Sequence, residues 1–252
     1  MDEHLYILTG ASRGMGEAIA EQLLQPANVL LCLSRQRSET LTAKASTDGA
    51  RCEQWQVDLA QPIEAAARLQ AWLTTEDAGR FASATLINNA AALTRIGAID
   101  DCADADLAAA MRVGLEAPML LTAAFLRATR GWPAAKRVLN ISSGLGRRAI
   151  AGQASYCALK AGLDHFTRAL ALDEARRSDG ARVVSLAPGV IDTDMQAQLR
   201  RADPAGFPDL AIFVGWQRDG QLASPERAAA RVLAYLNRAD FGTQPIADVR
   251  DA

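Results

Sequence analysis

The chain has 252 residues, half of them hydrophobic, with a net charge of −2 and scattered basic residues, so neither nucleic acid nor an anionic membrane is expected as a partner. Four cysteines without a CxxC pair and only two histidines exclude the usual metal-site spacings, and no metal is expected. The N-terminus lacks the pattern of a signal peptide and no apolar run approaches the roughly 18 residues of a membrane span, which predicts a reduced, cytoplasmic protein.

The chain opens with a predicted strand, a glycine turn and a helix. Leu5-Tyr6-Ile7-Leu8 is a short apolar run, and residues 17–24 have the apolar spacing of a helix. Three glycines lie in the turn between them, with the spacing GxxxGxG: Gly10, Gly14 and Gly16. Such a turn lets backbone N–H groups approach a pyrophosphate at a helix N-terminus, so it predicts a dinucleotide site.

Residues 29–33 predict a second strand, which ends at Ser34 and Arg35. In a dinucleotide fold this strand end faces the adenosine ribose, where an acidic residue selects the free 2′-hydroxyl and an arginine accommodates a 2′-phosphate. Arg13 in the glycine turn adds a second guanidinium, and Arg37 is a third candidate or a surface residue. Arg13 and Arg35 together predict NADPH; the alternative is that both are solvated surface arginines.

Residues 38–50 are polar and fit either a helix or a loop. Residues 51–57 alternate like a third strand and end at Asp58 and Leu59. From spacing alone, Asp58 is also a candidate N-cap for a helix starting near Pro62. The spacing of residues 65–73 predicts an amphipathic helix there.

Residues 84–87 predict a fourth strand, which is followed by Asn88-Asn89-Ala90-Ala91. Amides and small residues at a strand end allow a cofactor and the backbone to come close. Residues 107–130 then form a long helical pattern rich in alanine and leucine. It contains Gly114, which costs about 1 kcal/mol relative to alanine in a helix interior.

A fifth predicted strand, residues 137–142, leads to Ser143. Tyr156 and Lys160 follow in a predicted helix over 154–177, and their spacing places both side chains on one face. An ammonium group held beside a phenol stabilises the phenolate and lowers its pKa from about 10. Tyr156 is therefore a candidate general acid–base, with Ser143 and Lys160 brought to the same point.

Residues 183–187 predict a sixth strand, which runs into a turn at 188–193. The segment 195–223 is rich in Pro, Gly and aromatic residues, which predicts an irregular insertion that forms a lid or binding loop. Its apolar content favours a hydrophobic, aromatic carbonyl compound as substrate. The candidate substrate residues are Leu145, Ile150, Met195, Phe207 and Trp216.

Ser224 and Pro225 open the last predicted helix as N-cap and first residue, and residues 241–249 predict the last strand. Seven predicted strands that alternate with helices indicate an α/β fold. We expect a single Rossmann-type, doubly wound domain over residues 1–252, with a seven-stranded, mainly parallel sheet covered by helices on both faces.

Residues 9–16, Thr-Gly-Ala-Ser-Arg-Gly-Met-Gly, together with the Ser143, Tyr156, Lys160 spacing, resemble the short-chain dehydrogenase/reductase family over nearly the whole chain. Longer runs at 5–14, 155–164 and 188–196 are similar to those of sepiapterin reductases and bacterial benzil reductases. The resemblance implies an NADPH-dependent carbonyl reductase that acts on an aromatic or vicinal diketone or a pterin side-chain ketone. It also implies a homodimer or homotetramer formed through the helices at 107–130 and 154–177.

The same resemblance assigns roles to individual residues. It selects Ser143 over Ser142 as the catalytic hydroxyl, with Tyr156 and Lys160 as its partners, and places Asp58 at the adenine amino group. The implied cofactor-binding residues are Gly10, Ser12, Arg13, Gly14, Met15, Gly16, Arg35, Asp58, Leu59, Asn89, Ala90, Tyr156, Lys160, Pro188, Gly189, Val190 and Thr193. The backbone near Val190 is expected at the nicotinamide carboxamide, and Thr193 at the carboxamide or the phosphates.

Two positions depart from the family pattern. Ala91 replaces a usual glycine, and Gly114 replaces an asparagine that supports a water leading to the catalytic lysine. The second departure leaves open an alternative function, a dinucleotide-binding sensor or interaction protein that no longer turns over. A purely structural α/β protein is a third reading, but it leaves the glycines, arginines and catalytic spacing unexplained.

Overall fold

A computed structural model of the chain describes residues 3–251, apart from the side chain of Asp48. Seven strands form one sheet in the order β3-β2-β1-β4-β5-β6-β7, and every neighbouring pair is parallel. The strands are β1 Glu3–Thr9, β2 Asn28–Ser34, β3 Arg51–Gln56, β4 Phe81–Asn88, β5 Ala135–Ile141, β6 Arg182–Ala187 and β7 Ile246–Asp248. The predicted α/β fold with a seven-stranded sheet is confirmed.

Helices cover both faces of this sheet. They are α1 Gly14–Leu23, α2 Glu39–Asp48, α3 Pro62–Thr75, α4 Asp104–Met111, α5 Ala117–Ala128, α6 Ala154–Ala175, α7 Asp194–Arg200, α8 Leu210–Arg218 and α9 Pro225–Leu236. Successive strand residues bury against opposite layers, because side chains alternate across a strand. Leu5 and Ile7 of β1 pack in the core beneath α3 and α5, whereas Tyr6 and Leu8 pack beneath α1 and α9.

The strand order reverses at β1, which lies between β2 and β4. In open parallel sheets the helices of the two halves diverge at this point and leave a crevice outside the carboxyl ends of the strands. The glycine turn after β1 and the residues after β4 and β5 all lie along this edge. The fold therefore gathers the predicted site residues at the position where such folds bind ligands.

The helix predicted over 107–130 is observed as one continuous helix, Asp104–Ala128, interrupted by a π-helical turn at Arg112–Glu116. Gly114 lies inside this turn and is buried. By length and composition the helix could cross a bilayer, so the expectation that no segment is long and apolar enough was wrong. Half of the most apolar 18-residue window of this helix is buried inside the protein, so many of its apolar residues belong to the core.

The structure decides one open prediction, for residues 38–50, and differs from the prediction in two other segments. Region 38–50 is helix α2, because the Ser38 hydroxyl caps it and Gly49 ends it in the left-handed region, with φ +62°. The segment 195–223 contains α7 and α8 joined by turns, so the prediction that it is irregular was wrong for about half of its length. The last strand is confined to β7, because Gly242 turns the chain with φ +91° and pairing with β6 starts only at Pro245 and Ile246.

Candidate active site

The glycine turn between β1 and α1 is held by the carboxyl end of β2. The Gly10 N–H donates to the Leu33 carbonyl at 2.8 Å, and the Ala11 N–H donates to the Ser34 hydroxyl at 2.8 Å. Gly10 has φ +70°, and a Cβ on Gly16 would collide with the Gly10 carbonyl oxygen. The turn therefore needs glycine at these positions for its conformation and its close packing.

This turn fits the pyrophosphate of a dinucleotide. Helix α1 begins at Gly14, and the Arg13 side chain at its N-cap makes no capping hydrogen bond. The first backbone N–H groups of a helix have no partner within it and carry a partial positive charge, which favours an anion. Ser12 and Met15 belong to the same turn, with Ser12 partly exposed and Met15 packed beneath it.

Two exposed arginines, Arg13 and Arg35, lie in the glycine turn and at the end of β2. Arg35 follows β2 and is exposed, and Arg13 reaches across the turn to an exposed ion pair with Asp194 at 3.2 Å. Such an exposed pair contributes less than about 1 kcal/mol, so an incoming phosphate competes with it easily. Arg37 is also exposed.

Asp58 lies in a surface cavity of about 220 Å³ beside Gln61 and Arg68. Its Oδ1 accepts a hydrogen bond from the Ala60 N–H at 3.0 Å, and the N-cap of α3 is Gln61. The N-cap alternative for Asp58 was therefore wrong, and the carboxylate remains exposed toward the cavity. Leu59, in contrast, is buried in the core.

Hydrogen bonds connect the residues that follow β4 to the end of β1 and the glycine turn. The Thr9 hydroxyl accepts hydrogen bonds from the N–H groups of Asn89 at 2.9 Å and Ala90 at 3.0 Å. The Asn89 amide donates to the carbonyls of Thr9 and Gly10 at 3.0 and 3.2 Å. A Cβ on Gly10 would lie 3.0 Å from the Cα of Ala90, so the backbones nearly touch at the switch point.

Ser143, Tyr156 and Lys160 converge at the carboxyl end of β5. Ser143 follows the strand, and its hydroxyl accepts a hydrogen bond from the Leu145 N–H at 3.2 Å. Tyr156 and Lys160 lie one turn apart at the start of α6, and the Lys160 ammonium is 5.7 Å from the centre of the Tyr156 ring. The alternative hydroxyl, Ser142, is buried and committed elsewhere, because it donates to Asp164 at 2.5 Å.

The electrostatics differ from the expectation for the phenol. Burial raises the pKa of Tyr156 to about 12, and a hydrogen bond from Ser143 opposes this rise. Burial lowers the pKa of Lys160 to about 8, and the negative charge of Asp164 opposes that fall. The predicted lowering of the phenol's pKa by Lys160 is not observed, since the ammonium donates to the Ile141 carbonyl at 2.7 Å instead.

The turn after β6 closes the other end of the crevice. Pro188 is buried and Gly189 has φ +83°, a backbone conformation that favours glycine. The Val190 carbonyl accepts a hydrogen bond from the Ala223 N–H at 2.9 Å, and the Thr193 hydroxyl caps α7 by accepting from the Gln196 N–H at 3.4 Å. These bonds fix the turn in place at the carboxyl end of β6.

Residues 194–218, which we name the α7–α8 segment, have an apolar cluster of their own. Its buried members are Leu199, Phe207 and Phe213, with Leu93, Ile96, Ile150, Ala202, Leu210 and Trp216 packed around them. Phe207 is fully buried, 5.1 Å from Phe213 between ring centres, so in this conformation it supports the segment from inside. Leu145, Ile150, Met195 and Trp216 keep partial exposure.

Three glycines attach the α7–α8 segment to the loops beside the site. The Gly97 N–H donates to the Gly152 carbonyl at 3.0 Å. A Cβ on Gly152 would lie 2.5 Å from the Gly206 carbonyl oxygen, and one on Gly206 would lie 3.2 Å from the Cα of Gly97. The contact is therefore made by main chain against main chain.

Sequence reasoning missed two residues near the site, Asp164 and Arg147. Asp164 lies beneath Lys160 on α6, and Arg147 pairs with it at 3.2 Å. A sequence signal existed, because an acidic residue one helical turn after a lysine shares its face. Its burial and its pairing with Arg147 depend on the tertiary fold.

Comparison with known proteins agrees with this geometry. The sequence profile described as short chain dehydrogenase matches residues 4–204. The chain is 34% identical over 235 residues to benzil reductase ((S)-benzoin forming) of Bacillus cereus, which covers 93% of this chain and 94% of that protein. It is 32% identical over 258 residues to sepiapterin reductase of Rattus norvegicus, with 97% and 95% covered.

A solved structure also matches over almost the entire chain. The crystal structure of a short-chain dehydrogenase/reductase from Burkholderia vietnamiensis is 34% identical, with a TM-score of 0.66, and the match covers 99% of this chain and 98% of that one. The profile match, the extended relatives and the placement of the glycine turn and Ser143, Tyr156 and Lys160 agree. The chain belongs to the short-chain dehydrogenase family of oxidoreductases.

Proposed function

We propose that this protein is an NADPH-dependent carbonyl reductase that acts on an aromatic or vicinal diketone, or on a pterin side-chain ketone. The observation that carries the proposal is the convergence of Ser143, Tyr156 and Lys160 beside the glycine turn, at the edge where the sheet reverses. The similarity to a benzil reductase and a sepiapterin reductase supports the substrate class.

When bound, the nicotinamide dinucleotide supplies the hydride. Tyr156 donates a proton to the substrate oxygen, and its raised pKa keeps the phenol protonated at neutral pH. The Ser143 hydroxyl accepts a hydrogen bond from Leu145 N–H and hydrogen-bonds the Tyr156 phenol; when substrate binds, it would donate its proton to the substrate oxygen instead and stabilise the developing charge. Lys160, held by the Ile141 carbonyl, places a positive charge beside the phenol.

Arg13 and Arg35 support a preference for NADPH over NADH. Arg35 is exposed at the end of β2, where a 2′-phosphate would need a cationic partner, and Arg13 is exposed in the glycine turn, where its ion pair with Asp194 would have to open first. Asp58 lies farther along the crevice and would meet the adenine amino group. The cavity beside Asp58 is lined by polar and charged side chains, which suit a base edge.

The α7–α8 segment is proposed as the substrate lid. It follows the turn at 188–193 directly, and Met195 and Trp216 on it are partly exposed. Leu145 and Ile150 come from the loop after Ser143, and Ile150 packs against the apolar cluster of the segment. An apolar lining of this kind suits a hydrophobic carbonyl compound.

A homodimer or homotetramer through α5 and α6 is proposed as well. Met119 and Leu172 are 42% and 72% exposed on these helices, and a groove between them is lined by Phe166 and Leu170. Exposed apolar groups on adjacent helices are typical of an interface between copies. A cytoplasmic location stays a prediction.

The sensor alternative rests on Gly114 alone, and the complete set of Ser143, Tyr156 and Lys160 argues against it. The deciding experiment follows NADPH oxidation by purified protein with benzil, an aliphatic diketone and a pterin ketone, with NADH run in parallel. Turnover of at least one diketone or pterin ketone, with NADPH preferred, is expected. Tight NADPH binding without turnover of any carbonyl compound would contradict the reductase function.

A further inference from the structure

Asp164 is a buried carboxylate one helical turn beyond Lys160 on α6. It is only 1% exposed, and its Oδ1 accepts hydrogen bonds from the hydroxyls of Ser142 at 2.5 Å and Ser185 at 2.7 Å. Its Oδ2 accepts a hydrogen bond from the Nε of Arg147 at 3.2 Å. Burying a carboxylate is costly unless it is paired and hydrogen-bonded, so these donors together stabilise it in place.

The donors come from the parts of the chain that shape the catalytic end. Ser142 immediately precedes Ser143 at the end of β5, and Ser185 belongs to β6, which leads into the turn at 188–193. Arg147 follows the short 3-10 turn after Ser143 and also donates to the Ala247 carbonyl at 2.8 Å, beside β7. One carboxylate therefore connects β5, β6 and the Ser143 loop to α6.

The Ser143 loop also packs its backbone directly on α6 at this point. A Cβ on Gly146 would lie 2.9 Å from the Lys160 carbonyl oxygen and 3.1 Å from Asp164 Oδ2. The close approach requires glycine and places the loop between the backbone of Lys160 and the side chain of Asp164. Movement of Asp164 would thus be transmitted to the loop that carries Ser143.

We propose that Asp164 is a positioning residue of the reaction: it fixes the Ser143 loop against α6 and holds a permanent negative charge beneath the Lys160 ammonium. With 1% of its surface exposed, it is closed off from the crevice and acts through Lys160 and Ser143. The inference rests on the proposed reductase function for its kinetic consequence. Its electrostatic consequence can be measured without turnover.

Among the described residues, the cations that face Asp164 are Lys160 from its own helix and Arg147 from the Ser143 loop. Its neighbours on β5 and β6 are uncharged hydroxyls. Beyond Arg147 lies Asp248 of β7, which pairs with Arg250 at 2.6 Å. Removal of the Asp164 charge would therefore leave Lys160 near Arg147 without the intervening anion.

The chain offers a direct readout, because it contains only three lysines: Lys44, Lys136 and Lys160. Lysine labelled with ¹³C at Cε gives few NMR signals, which Lys44→Arg and Lys136→Arg assign. The Lys160 signal is titrated in the cofactor-free protein, in wild type and in Asp164→Asn. Glu174→Gln is the matched control, since Glu174 is a buried carboxylate on the same helix that accepts a hydrogen bond from Ala181 N–H, far from Lys160.

We expect the pKa of Lys160 to fall in Asp164→Asn and to stay unchanged in Glu174→Gln, because only the first variant removes a charge that favours the ammonium. A merely structural role predicts the opposite sign. Loosened packing would hydrate Lys160 and raise its pKa toward the ordinary value. An unchanged or raised pKa in folded Asp164→Asn therefore overturns the proposal.

If Asp164→Asn does not fold, Arg147→Gln supplies the second measurement. This variant removes a nearby positive charge and leaves the Asp164 charge uncompensated, so the pKa of Lys160 should rise. No change in Arg147→Gln would equally overturn the proposal.

The kinetic arm uses the carbonyl substrate found for the wild-type enzyme. In Asp164→Asn, kcat should begin to fall at a lower pH than in wild type. At alkaline pH, kcat should be about tenfold lower for each pH unit of this shift, with little change in KM. An unmoved alkaline limb, together with a lowered pKa of Lys160, would overturn the role in the reaction. If the wild-type protein reduces none of the carbonyl compounds, the proposed reductase function is contradicted. The NMR titration of Lys160 still tests the electrostatic role of Asp164.

Discussion

The side chain of Leu159 occupies the space beside Gly114. A Cβ on Gly114 would lie 2.9 Å from Leu159 Cδ1 and 3.1 Å from its Cδ2. Leu159 is fully buried and precedes Lys160 on α6, and Gly114 lies in the π-helical turn of the neighbouring helix. The two positions therefore fit each other, and an asparagine at 114 has no room while Leu159 keeps this place.

Gly114→Asn alone should lower the free energy of unfolding by about 1–3 kcal/mol, because it overpacks a buried contact. The double variant Gly114→Asn, Leu159→Ala should recover part of that loss, although Leu159→Ala alone costs about 2–5 kcal/mol through its cavity. Urea unfolding of the four proteins measures this coupling. Additive effects of the two substitutions would show that the side chains do not compete for one space.

Tyr156→Phe should reduce kcat about 10²- to 10⁴-fold, since it removes the proton donor and leaves the shape of the site intact. Binding of NADPH, measured by fluorescence, should change little. Tyr235→Phe is the control, because Tyr235 is a partly buried tyrosine on α9 that packs on Phe241. Near-normal turnover in Tyr156→Phe would rule out the acid role.

Carbonyl reduction should lose activity as the pH rises above about 8. The pKa of Lys160 is lowered to about 8, so the ammonium is charged below that pH and neutral above it. The pKa of Tyr156 is about 12, so the phenol stays protonated over the same range and does not cause the loss. The measurement is kcat/KM between pH 6 and 10, which reports the free enzyme.

Lys160→Arg provides the internal check, since a guanidinium keeps its charge throughout this range. Its residual activity should lack the alkaline limb. A wild-type profile that stays flat to pH 10, or an unchanged limb in Lys160→Arg, would contradict the assignment.

Arg35→Ala and Arg13→Ala should each raise the KM for NADPH about tenfold and leave the KM for NADH nearly unchanged, because a charge-assisted hydrogen bond contributes about 1.5–3 kcal/mol. Steady-state kinetics with both cofactors give the ratio. Arg68→Ala is the comparison variant, since Arg68 stacks over Trp55 at 4.0 Å and lines the cavity proposed for the adenine, which both cofactors share, so any loss should be equal for NADPH and NADH. An equal increase in the KM for NADH and for NADPH would show that the arginines do not bind the 2′-phosphate.

Gly152→Ala should raise the KM for the carbonyl substrate and leave the KM for NADPH unchanged. Its added Cβ meets the Gly206 carbonyl oxygen at 2.5 Å and displaces the α7–α8 segment. Gly131→Ala is the control for backbone strain. Gly131 has φ +79°, close to the +73° of Gly152, but a Cβ on Gly131 would have no neighbouring atom within 4 Å. Similar kinetics in the two variants would mean that strain alone accounts for the effect.

The sheet was predictable because most of its strands are apolar runs, β3 shows strand alternation, and the glycine turn follows the first strand. The placement of Tyr156 and Lys160 followed from helical spacing in the same way. The α7–α8 segment was not predictable as helices, because it is stabilised by a separate apolar cluster around Phe207 that forms only in three dimensions. The pKa of Tyr156 was predicted with the wrong sign, since spacing shows a nearby lysine but neither the burial of the phenol nor the Ile141 carbonyl that holds the ammonium.

The contact among Gly97, Gly152 and Gly206 has a consequence for how substrate preference can change. The α7–α8 segment is attached there by main-chain contacts, so this attachment does not depend on the side chains on the surface of the segment. Partly exposed positions outside the apolar cluster, such as Met195 and Leu145, can be exchanged without loosening the joint. Libraries restricted to those positions should alter the range of ketones accepted while the protein keeps its stability and its cofactor affinity.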